Sequence, residues 1–359
     1  MSPTVPPISR NSALDNIKGV LIFLVVFGHF IELHIANDNF LRPIWIFIYA
    51  FHMPMFAMVS GIFSKVSLDD KQSIQLIKNI VAPLVGFELL YECTEYFLMG
   101  KFSVYAGLIA PYWMLWYLMS LLCWRLMLPL FSKLQFPVML AVALAMLTSY
   151  SEHTGYLLSS SRTLMLFPYF LIGSVLGPEL FSSTKNNLRY ISLSFAIVAL
   201  AIIASLCLPP LFDYRWLYGS FSLQRLGMAN LIGSLYQLLQ YTVSSILGIA
   251  ILYLLSRWDW GLARIGKQSI YVFLWHGMAL IILQATGLLA TILHMQPLAR
   301  LTMSLFCSGL IVLAAAHPYC ELLTQKFILE PMTWLLVRQS RHVTANKATP
   351  LPEKPVTVE

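Results

Sequence analysis

The stretch NSALDNIKGVLIFLVVFGHFIEL, residues 11–33, decides the fold of this chain. It is as apolar as a membrane-spanning helix, yet it contains Asp15, Lys18, His29 and Glu32. At about 100° per residue, the eleven steps from Lys18 to His29 make three turns plus roughly 20°. These two side chains therefore point the same way, about 16 Å apart along the helix axis. Asp15 and Glu32, each three residues further out, fall near the same stripe. The stretch predicts a membrane helix with one polar seam turned inward.

The composition of the whole chain is typical of an integral membrane protein. Of its 359 residues 58% are hydrophobic and 11% are charged, and the mean hydropathy is +0.73. A soluble domain has about 25% charged residues. The net charge of +7 comes from basic residues scattered between apolar runs, which argues against a nucleic-acid-binding surface. It fits the excess of Lys and Arg on cytoplasmic loops of membrane proteins instead.

The sequence gives little indication of a cleaved signal peptide or of a cysteine framework. We expect no cleaved signal peptide, because the first apolar run ends in the polar stretch HIANDN, residues 34–39, rather than in a small-residue cleavage site. The five cysteines show no paired spacing. We interpret them as packing residues rather than as a disulfide or metal framework, and we predict no metal site.

Ten apolar segments are long enough to cross a bilayer, given that a crossing takes about 20 residues. They lie near 14–33, 43–63, 77–98, 113–131, 136–150, 163–181, 190–208, 235–256, 266–287 and 297–318. With the N-terminus in the cytoplasm, 17 of the 23 Lys and Arg residues fall on the cytoplasmic side and 6 outside. We therefore predict an all-α integral membrane protein, a bundle of about ten transmembrane helices with both termini cytoplasmic. Residues 1–340 form the membrane domain, and the polar segment 341–359 is a disordered cytoplasmic tail.

Ionisable residues inside membrane helices are costly, so they normally face a cavity or a partner. In the first helix two interpretations stay open. Asp15 and Lys18 form an interfacial ion pair while His29 is a hydrogen-bonded core histidine, or all the polar residues of the seam form one site. In the second helix, His52 lies about 15 Å in from the outer end, at a depth that His29 also reaches. His52 either approaches His29 or holds two helices together through a hydrogen bond.

The later helices contribute further candidates. Glu88, Glu92 and Glu95 are spaced i, i+4, i+7 on the third helix, and such carboxylates accept hydrogen bonds from a polyol or pair with a cation. Glu95 also fits a position in the lipid head groups. The remaining candidates are Trp113, Trp116 and Tyr117 at the outer end of the fourth helix, Arg125 in its inner half, Arg162 at the outer end of the sixth, and His276 within the ninth. The aromatic residues fit an interface belt as well as a sugar-stacking surface.

These residues are ordered along the membrane normal. Cations gather at the cytoplasmic ends, histidines at middle to outer depth, and carboxylates and aromatics further out. A phosphate-rich donor from the cytosol would meet the cations, and a hydroxyl-rich acceptor from outside would meet the outer group. Histidine, with an ordinary pKa of about 6.5, takes a proton from an alcohol near neutral pH.

Five stretches resemble the membrane-bound acyltransferase family 3, and within it the branch of fucose 4-O-acetylases and related glycan O-acetyltransferases. They are DNIKGVLIFLVVFGH (15–29), FHMPMFAMVSG (51–61), WMLWYLMSLLCWRL (113–126), RTLMLFPYFLIG (162–173) and SIYVFLWHGMAL (269–280). Lys18 and His29, with ten residues between them, are similar to the family's basic-x10-His motif. The resemblance implies a ten-helix membrane core that uses acyl-CoA, usually acetyl-CoA, to O-acylate carbohydrates outside the cytoplasm. It also implies His29 as the catalytic histidine, Lys18 as its basic partner, and His52 and Arg162 at the site.

The predicted roles combine the seam geometry with this resemblance. His29 is the general base, with Glu32 and His52 as further catalytic residues. The donor acyl-CoA is bound near Lys18, Arg125 and Asp15, and the acceptor is bound by Glu88, Glu92, Trp116, Arg162 and His276. We expect no tightly bound cofactor. The expected partners are acyl-CoA, an extracytoplasmic glycan and the lipid bilayer, with no nucleic acid, and the expected location is the bacterial cytoplasmic (inner) membrane.

Two other functions fit part of the pattern. A transporter or flippase of a polar glycan or lipid-linked sugar also needs buried charges, although the chain shows none of the inverted repeats that mark many transporters. A membrane sensor or scaffold would use the histidines as a pH switch. Release of free thiol from acetyl-CoA separates the enzyme from both.

Overall fold

The computed structural model describes residues 12–33, 35–36, 38–105, 110–151, 157–177, 187–208 and 212–337, and within these ranges every regular element is a helix. The first six are α1 (Ser12–Glu32), α2 (Leu41–Tyr49), α3 (His52–Ile62), α4 (Asp70–Leu76), α5 (Ala82–Met99) and α6 (Trp116–Phe131). The next five are α7 (Pro137–Ser149), α8 (Ser160–Leu176), α9 (Leu188–Cys207), α10 (Leu231–Leu255) and α11 (Ala263–Lys267). The last five are α12 (Ser269–Ala285), α13 (Leu288–Leu293), α14 (Pro297–Ala315), α15 (Pro318–Thr324) and α16 (Glu330–Leu336). The segment 341–359, predicted to be a disordered tail, lies outside the described residues.

Seven helical stretches in the described part of the chain are long and apolar enough to cross a membrane. They are Ser12–Glu32, Leu41–Ile62, Asp70–Met99, Trp113–Phe131, Leu188–Cys207, Leu231–Leu255 and Pro297–Ala315. Three further apolar helices are shorter, with 13 residues in α7 and 17 each in α8 and α12. The protein is thus an all-helical, multi-pass membrane protein. The count of ten crossings stays a prediction.

The second predicted span is interrupted. Pro54 lacks an N–H group, and a proline ring inside a helix clashes with the carbonyl group four positions earlier, here that of Ala50. The helix accordingly breaks at Phe51, whose φ of −136° and ψ of −27° are not helical. His52 becomes the first residue of α3, and its ring nitrogen Nδ1 lies 2.8 Å from the carbonyl oxygen of Ile48 across the break.

The chain continues as a helix beyond its last predicted span. After α14, the segment α15–α16 runs through a π-helical turn (Gln325–Leu329) and packs against α5 and α12. Gln268 Nε2 donates a hydrogen bond to Glu321 over 2.7 Å, and Trp275 Nε1 donates to Thr324 over 2.7 Å. The tenth predicted span is therefore not the last helix of the bundle.

Glycines bring the helices that carry the polar residues into backbone contact. A Cβ at Gly61 of α3 would lie 2.0 Å from the carbonyl oxygen of Phe170 in α8, and one at Gly173 of α8 would lie 1.9 Å from the carbonyl oxygen of Met58. A Cβ at Gly266 of α11 would lie 1.7 Å from the carbonyl oxygen at the first turn of α1. Only a residue without a side chain permits such crossings. The backbones of α3 and α8 are thereby fixed at close range.

Candidate functional site

His29 lies near the end of α1, and its hydrogen-bond partner is His276 of α12. The two rings are stacked at 9°, with His29 Nδ1 3.0 Å from His276 Nε2. His276 Nδ1 in turn lies 3.1 Å from the carbonyl oxygen of Val272. Because a carbonyl group only accepts, neutral His276 carries its proton on Nδ1, and its Nε2 accepts from His29 Nδ1–H. The lone pair of neutral His29 is therefore on Nε2.

Glu32 lies beside this second nitrogen of His29. Its Oε2 is 3.9 Å from His29 Nε2, which is too long for a hydrogen bond. The same oxygen accepts a hydrogen bond from the Tyr49 hydroxyl over 2.9 Å, and the Tyr218 hydroxyl also bonds to the carboxylate. The ring of His29 is therefore oriented by His276 rather than by Glu32. Tyr49 and Tyr218 hold the Glu32 carboxylate close to Nε2, the nitrogen of His29 that would take up a proton.

Both His29 and His52 line one narrow cavity of about 70 Å³, room for a few water-sized groups. His52 donates from Nδ1 to the Ile48 carbonyl group, so its lone pair is on Nε2. The ring centroid of His52 lies 4.5 Å from that of Tyr49. The two histidines share the cavity, but the direct partner of His29 comes from α12.

Arg162, in the first turn of α8, forms another wall of this cavity. Its Nε donates to the carbonyl oxygen of Tyr218 over 3.1 Å, and its Nη2 lies 3.4 Å from the Ser220 hydroxyl. Its guanidinium carbon lies 4.9 Å from the centroid of the Trp116 ring. The polar and aromatic side chains around the cavity are His29, Glu32, Tyr49, His52, Phe56, Trp113, Trp116, Tyr117, Arg162, Tyr169, Tyr218, Gln240, Tyr241, Ser244 and Phe273. The structure thus brings Trp116 and Arg162 to the histidines, and His276 into direct contact with His29.

The two predicted acceptor carboxylates on α5 do not reach this cavity. Both oxygens of Glu88 accept from the backbone N–H of Tyr112, at 3.0 and 2.9 Å. Glu92 accepts from the backbone N–H of Ser103 over 3.0 Å and from its hydroxyl group. The carboxylates hold the connection between α5 and α6, because backbone N–H groups there have no helical partner.

That connection delivers Trp113 to the cavity. The Trp113 ring centroid is 5.5 Å from that of His29. The backbone of Trp113 has a φ of +22°, which residues other than glycine rarely adopt. The adjacent Tyr112 is held at its N–H group by Glu88 and at its hydroxyl by Glu95 over 2.5 Å. Trp113 therefore belongs to the site rather than to a lipid-facing belt alone.

The predicted donor-binding residues lie together at the opposite end of the bundle. Lys18 Nζ is 2.7 Å from Asp15 and lies 4.7 Å from the centroid of the Phe63 ring. Arg125 Nη1 donates to the carbonyl oxygen of Lys65 over 3.1 Å. Two cations from different helices thus meet at one short stretch after α3. The ion pair of Asp15 with Lys18 is present, as one of the two interpretations of the first helix expected.

The cavity does not extend to these cations. On α1 its lining ends at Val25, about 10 Å from Lys18 along the helix. Ile22, between the two levels, is fully buried. A donor molecule that spans both groups needs a rearrangement of this packed layer.

Tyr49, Tyr218 and Gln240 line the cavity but are not among the site residues predicted from the sequence. Tyr49 lies three residues before His52, and this helical spacing places both residues on one face, so the sequence does contain a signal for Tyr49. Tyr218 ends a short 3₁₀ helix (Tyr214–Tyr218) in a long connection, and no periodic pattern marks it. Gln240 lies on α10, which also contains Gln237 and several hydroxyl side chains, so the sequence does not single it out. No group of three His, Cys, Asp or Glu side chains in the described ranges could hold a metal ion.

Comparison with known proteins identifies a protein family for this chain. A family model described as an acyltransferase domain matches residues 11–317. Nodulation protein NolL of Sinorhizobium fredii is 32% identical over 137 residues, covering 31% of this chain and 37% of that protein. Nodulation protein NolL of Mesorhizobium japonicum is 27% identical over 124 residues, covering 30% of this chain and 33% of that protein. The chain therefore aligns with about a third of the length of these curated relatives. No solved structure matches it.

Proposed function

The chain belongs to the acyltransferase family whose model spans residues 11–317, and on this premise we propose the reaction that it catalyses. The protein moves an acyl group, normally acetyl, from cytoplasmic acyl-CoA to a hydroxyl group of a carbohydrate outside the cytoplasm. The family and the membrane-spanning helices support an acyltransferase that works in a bilayer. The donor, the acceptor and the residue roles are inferred from the geometry of the site.

The proposed topology has ten crossings with both termini in the cytoplasm of a bacterial cell. Residues 1–340 form the membrane domain in the inner membrane, and 341–359 form a cytoplasmic tail. Helices α8 and α12, at 17 residues each, are about 25 Å long and match a thin or locally adapted hydrocarbon core. The distribution of Lys and Arg supports this orientation, because cytoplasmic loops carry their excess.

The observation that carries the proposal is the pair formed by His29 and His276. The carbonyl group of Val272 fixes the proton of His276, and His276 fixes that of His29, so Nε2 of His29 is the basic nitrogen. It lies in a cavity with Arg162 and several aromatic rings, on a helix that is long and apolar enough to cross a membrane. In hydrolase triads the histidine donates from Nδ1 to an orienting group and acts as base through Nε2; here His276 is the orienting group, and Nε2 of His29 is left as the base.

In the proposed step, His29 Nε2 takes the proton of a sugar hydroxyl group while the hydroxyl oxygen attacks the thioester carbonyl carbon. An ester C–O bond forms and the carbon–sulfur bond breaks. The thiolate takes the proton from His29 and leaves as the free thiol of CoA. Glu32, 3.9 Å from Nε2, stabilises the imidazolium that forms in between.

The remaining cavity residues position the substrates in this scheme. Arg162 retains guanidinium N–H donors beyond its bonds to Tyr218 and Ser220, and these donors stabilise the negative charge that develops on the thioester oxygen. Trp116 offers a ring face on which a sugar stacks. His52 holds the acceptor through its Nε2 lone pair. Glu88 and Glu92 hold the loop that carries Trp113 and do not line the cavity in which the acceptor would bind.

The donor enters from the opposite end. Lys18 and Arg125 contact the phosphates of coenzyme A, and Asp15 holds Lys18 until they arrive. The pantetheine arm then reaches His29 by displacing the packed layer between Lys18 and Val25. The distance of about 16 Å from Lys18 to His29 along α1 is of the order of the length of that arm.

The test is the release of free thiol from acetyl-CoA by purified protein, together with the transfer of the acetyl group to a panel of free sugars that includes fucose. The parent should do both, whereas a transporter or a sensor does neither. His29→Ala should reduce transfer by about 10²–10⁴, because loss of a general base costs this much. Glu32→Gln should lose less, since it leaves the bond between His29 and His276 intact. A folded His29→Ala protein that keeps more than about a tenth of the parent rate would contradict this assignment and direct attention to His52.

A further inference from the structure

A second and larger cavity lies beside the one that contains His29. It has a volume of about 690 Å³, within the roughly 300–1,000 Å³ that small-molecule sites occupy. It is formed by α2, by the end of α9, by the first half of α10 and by the connection between these last two helices. We call it the lateral groove. Its walls include Phe47, Ala201, Ala204, Leu239, Val243 and Leu247.

The lateral groove opens at the surface of helices that the proposed topology places in lipid. Three of its wall residues on α10 and α9 are exposed at the surface of the bundle: Leu239 (55%), Val243 (45%) and Ala204. Both helices are among those long and apolar enough to cross a membrane. An occupant of this groove therefore enters from the bilayer rather than from water.

The lateral groove adjoins the cavity of His29. Leu217, Gln240 and Ser244 line both. The Gln240 amide donates to the carbonyl oxygen of Trp216 over 3.1 Å, whereas its own buried oxygen has no hydrogen-bond partner among the described residues. An unpaired amide oxygen at the junction accepts a hydrogen bond from a hydroxyl group and repels an anion.

The charged groups of the groove lining also favour an uncharged head group. Among the described residues that line the groove no Lys or Arg is present, and the carboxylate of Asp213 is paired with Arg215, whose Nη2 lies 2.7 Å from its Oδ2. A phosphate head group would therefore find no cation among these lining residues and would face the unpaired amide oxygen of Gln240. An uncharged, hydroxyl-rich head group would meet acceptors that it can satisfy.

From these observations we propose that the lateral groove holds the hydrocarbon chain of an uncharged glycolipid whose sugar is the acceptor. This assignment rests on the proposed function and narrows its acceptor to a membrane-anchored sugar. Lipid tails are as apolar as the groove wall, so the groove adds little affinity over the bilayer itself. It places the sugar at the junction with the His29 cavity, where the reaction occurs, and so raises its local concentration.

Photolabelling tests the occupant independently of transfer. The probe is a single-chain alkyl glycoside with a diazirine in its chain, compared with a phospholipid that carries the same diazirine, on protein in phospholipid nanodiscs. We expect the glycoside to label residues 201–208 and 236–247 more strongly than the phospholipid does, and an unlabelled alkyl glycoside to compete. Equal labelling by the two probes would show that the groove holds bulk lipid and would overturn the proposal.

Two variants of α9 test whether the glycoside probe binds in the lateral groove. Ala204 lines the lateral groove and is exposed, so Ala204→Trp fills the groove with little disturbance of the core; Ala199→Trp adds the same ring to an exposed position of α9 away from it. Ala204→Trp should lose the glycoside labelling, and Ala199→Trp should keep it. Equal labelling of the two variants would refute the assignment.

Transfer assays then separate the two hypotheses. The ratio of kcat/KM for the alkyl glycoside to that for the free sugar should fall roughly tenfold or more in Ala204→Trp, because the local concentration supplied by the anchor is lost. An unchanged ratio would contradict the groove while leaving the transferase intact. A parent protein that binds the glycoside in the groove but transfers acetyl to neither acceptor would contradict the proposed function instead.

Discussion

The proton on a histidine ring can be assigned when the partners of its nitrogens are known. Val272 accepts from His276, and His276 accepts from His29, so the chain of donors runs from α1 into the backbone of α12. Both rings are held in one tautomer by groups that lie in the bundle. His276 is fully buried, and its position next to His29 gives it a positioning role in the proposed reaction rather than direct contact with substrate.

Substitution of His276 tests this positioning role. Phe at this position cannot accept from His29 Nδ1–H, so His29 loses its tautomer preference, and kcat should fall by less than the roughly 10²–10⁴ expected for His29→Ala, because the base itself is retained. Gln offers an amide oxygen as acceptor and should restore a large part of kcat. The measurement is acetyl transfer by the folded variants, with the KM for acetyl-CoA near that of the parent in both. Equal losses in His276→Phe and His276→Gln would show that His276 only fills space.

At the scale of elements, the close crossing of α3 and α8 sets the width of the cavity. His52 begins α3 and Arg162 lies in the first turn of α8, and both helices touch through Gly61 and Gly173. No larger residue fits between the two backbones. The crossing therefore couples the packing of the bundle to the geometry of the site.

Gly173→Ala should destabilise the protein, because its Cβ would lie 1.9 Å from the carbonyl oxygen of Met58. Gly309→Ala is the matched control: this glycine also lies within a helix, α14, and a Cβ there meets nothing within 4 Å. Alanine normally favours a helix interior by about 0.5–1 kcal/mol over glycine, so Gly309→Ala should keep or raise the Tm. Thermal unfolding of both purified variants is the measurement. A Tm for Gly173→Ala equal to that of the control would mean that the helices separate without cost.

The connection between α5 and α6 is a second element that shapes the site. Glu88 accepts from the Tyr112 N–H with both oxygens, and Trp113 follows in a strained conformation over His29. Such strain persists only where the surrounding contacts enforce it.

Glu88→Ala should release this connection. We expect a lower Tm and a reduced kcat, because Trp113 then relaxes away from His29. Thr94→Ala, on the same helix, removes a hydroxyl that donates to the Leu90 carbonyl group within α5 and serves as the control. Thermal unfolding and transfer assays check both properties. If Glu88→Ala matched the control in kcat, the position of Trp113 would be irrelevant to transfer.

At the scale of the whole molecule, the proposed donor and acceptor sites lie toward opposite ends of α1. Lys18 and Arg125 lie near the end of α3, whereas His29 lines a cavity that adjoins the lateral groove. Between the two ends, Ile22 is fully buried in the packed bundle. Transfer across the membrane then requires that the two ends face different compartments.

Cysteine labelling tests the proposed orientation. In a background without the five native cysteines, Val66→Cys, after α3, should react with a membrane-impermeant maleimide only after the cells are opened. Gln296→Cys, before α14, should react in intact cells, since both positions are exposed at opposite ends of the bundle in the proposed topology. Reaction of Val66→Cys in intact cells would reverse the orientation and with it the direction of acyl transfer.

The amino-acid sequence by itself determined the membrane character, the all-helical class and the polar seam of the first helix. These properties are local: apolar length decides whether a segment can lie in lipid, and the helical period decides which residues share a face. The pairing of Asp15 with Lys18 was within reach for the same reason, since residues three apart meet on one helix.

Only the tertiary structure decided what faces that seam. His29 and His276 are 247 residues apart in the chain, and no local pattern states that α1 and α12 turn these faces toward each other. Glu88 and Glu92 have the spacing of a binding stripe, yet their partners are backbone groups of a connection whose path depends on the packing of α5 and α6. Tyr218 reaches the cavity from the connection between α9 and α10, and Gln240 reaches it from α10 itself. Contacts between distant segments depend on how whole helices pack, and that is a property of the assembled bundle rather than of any one stretch.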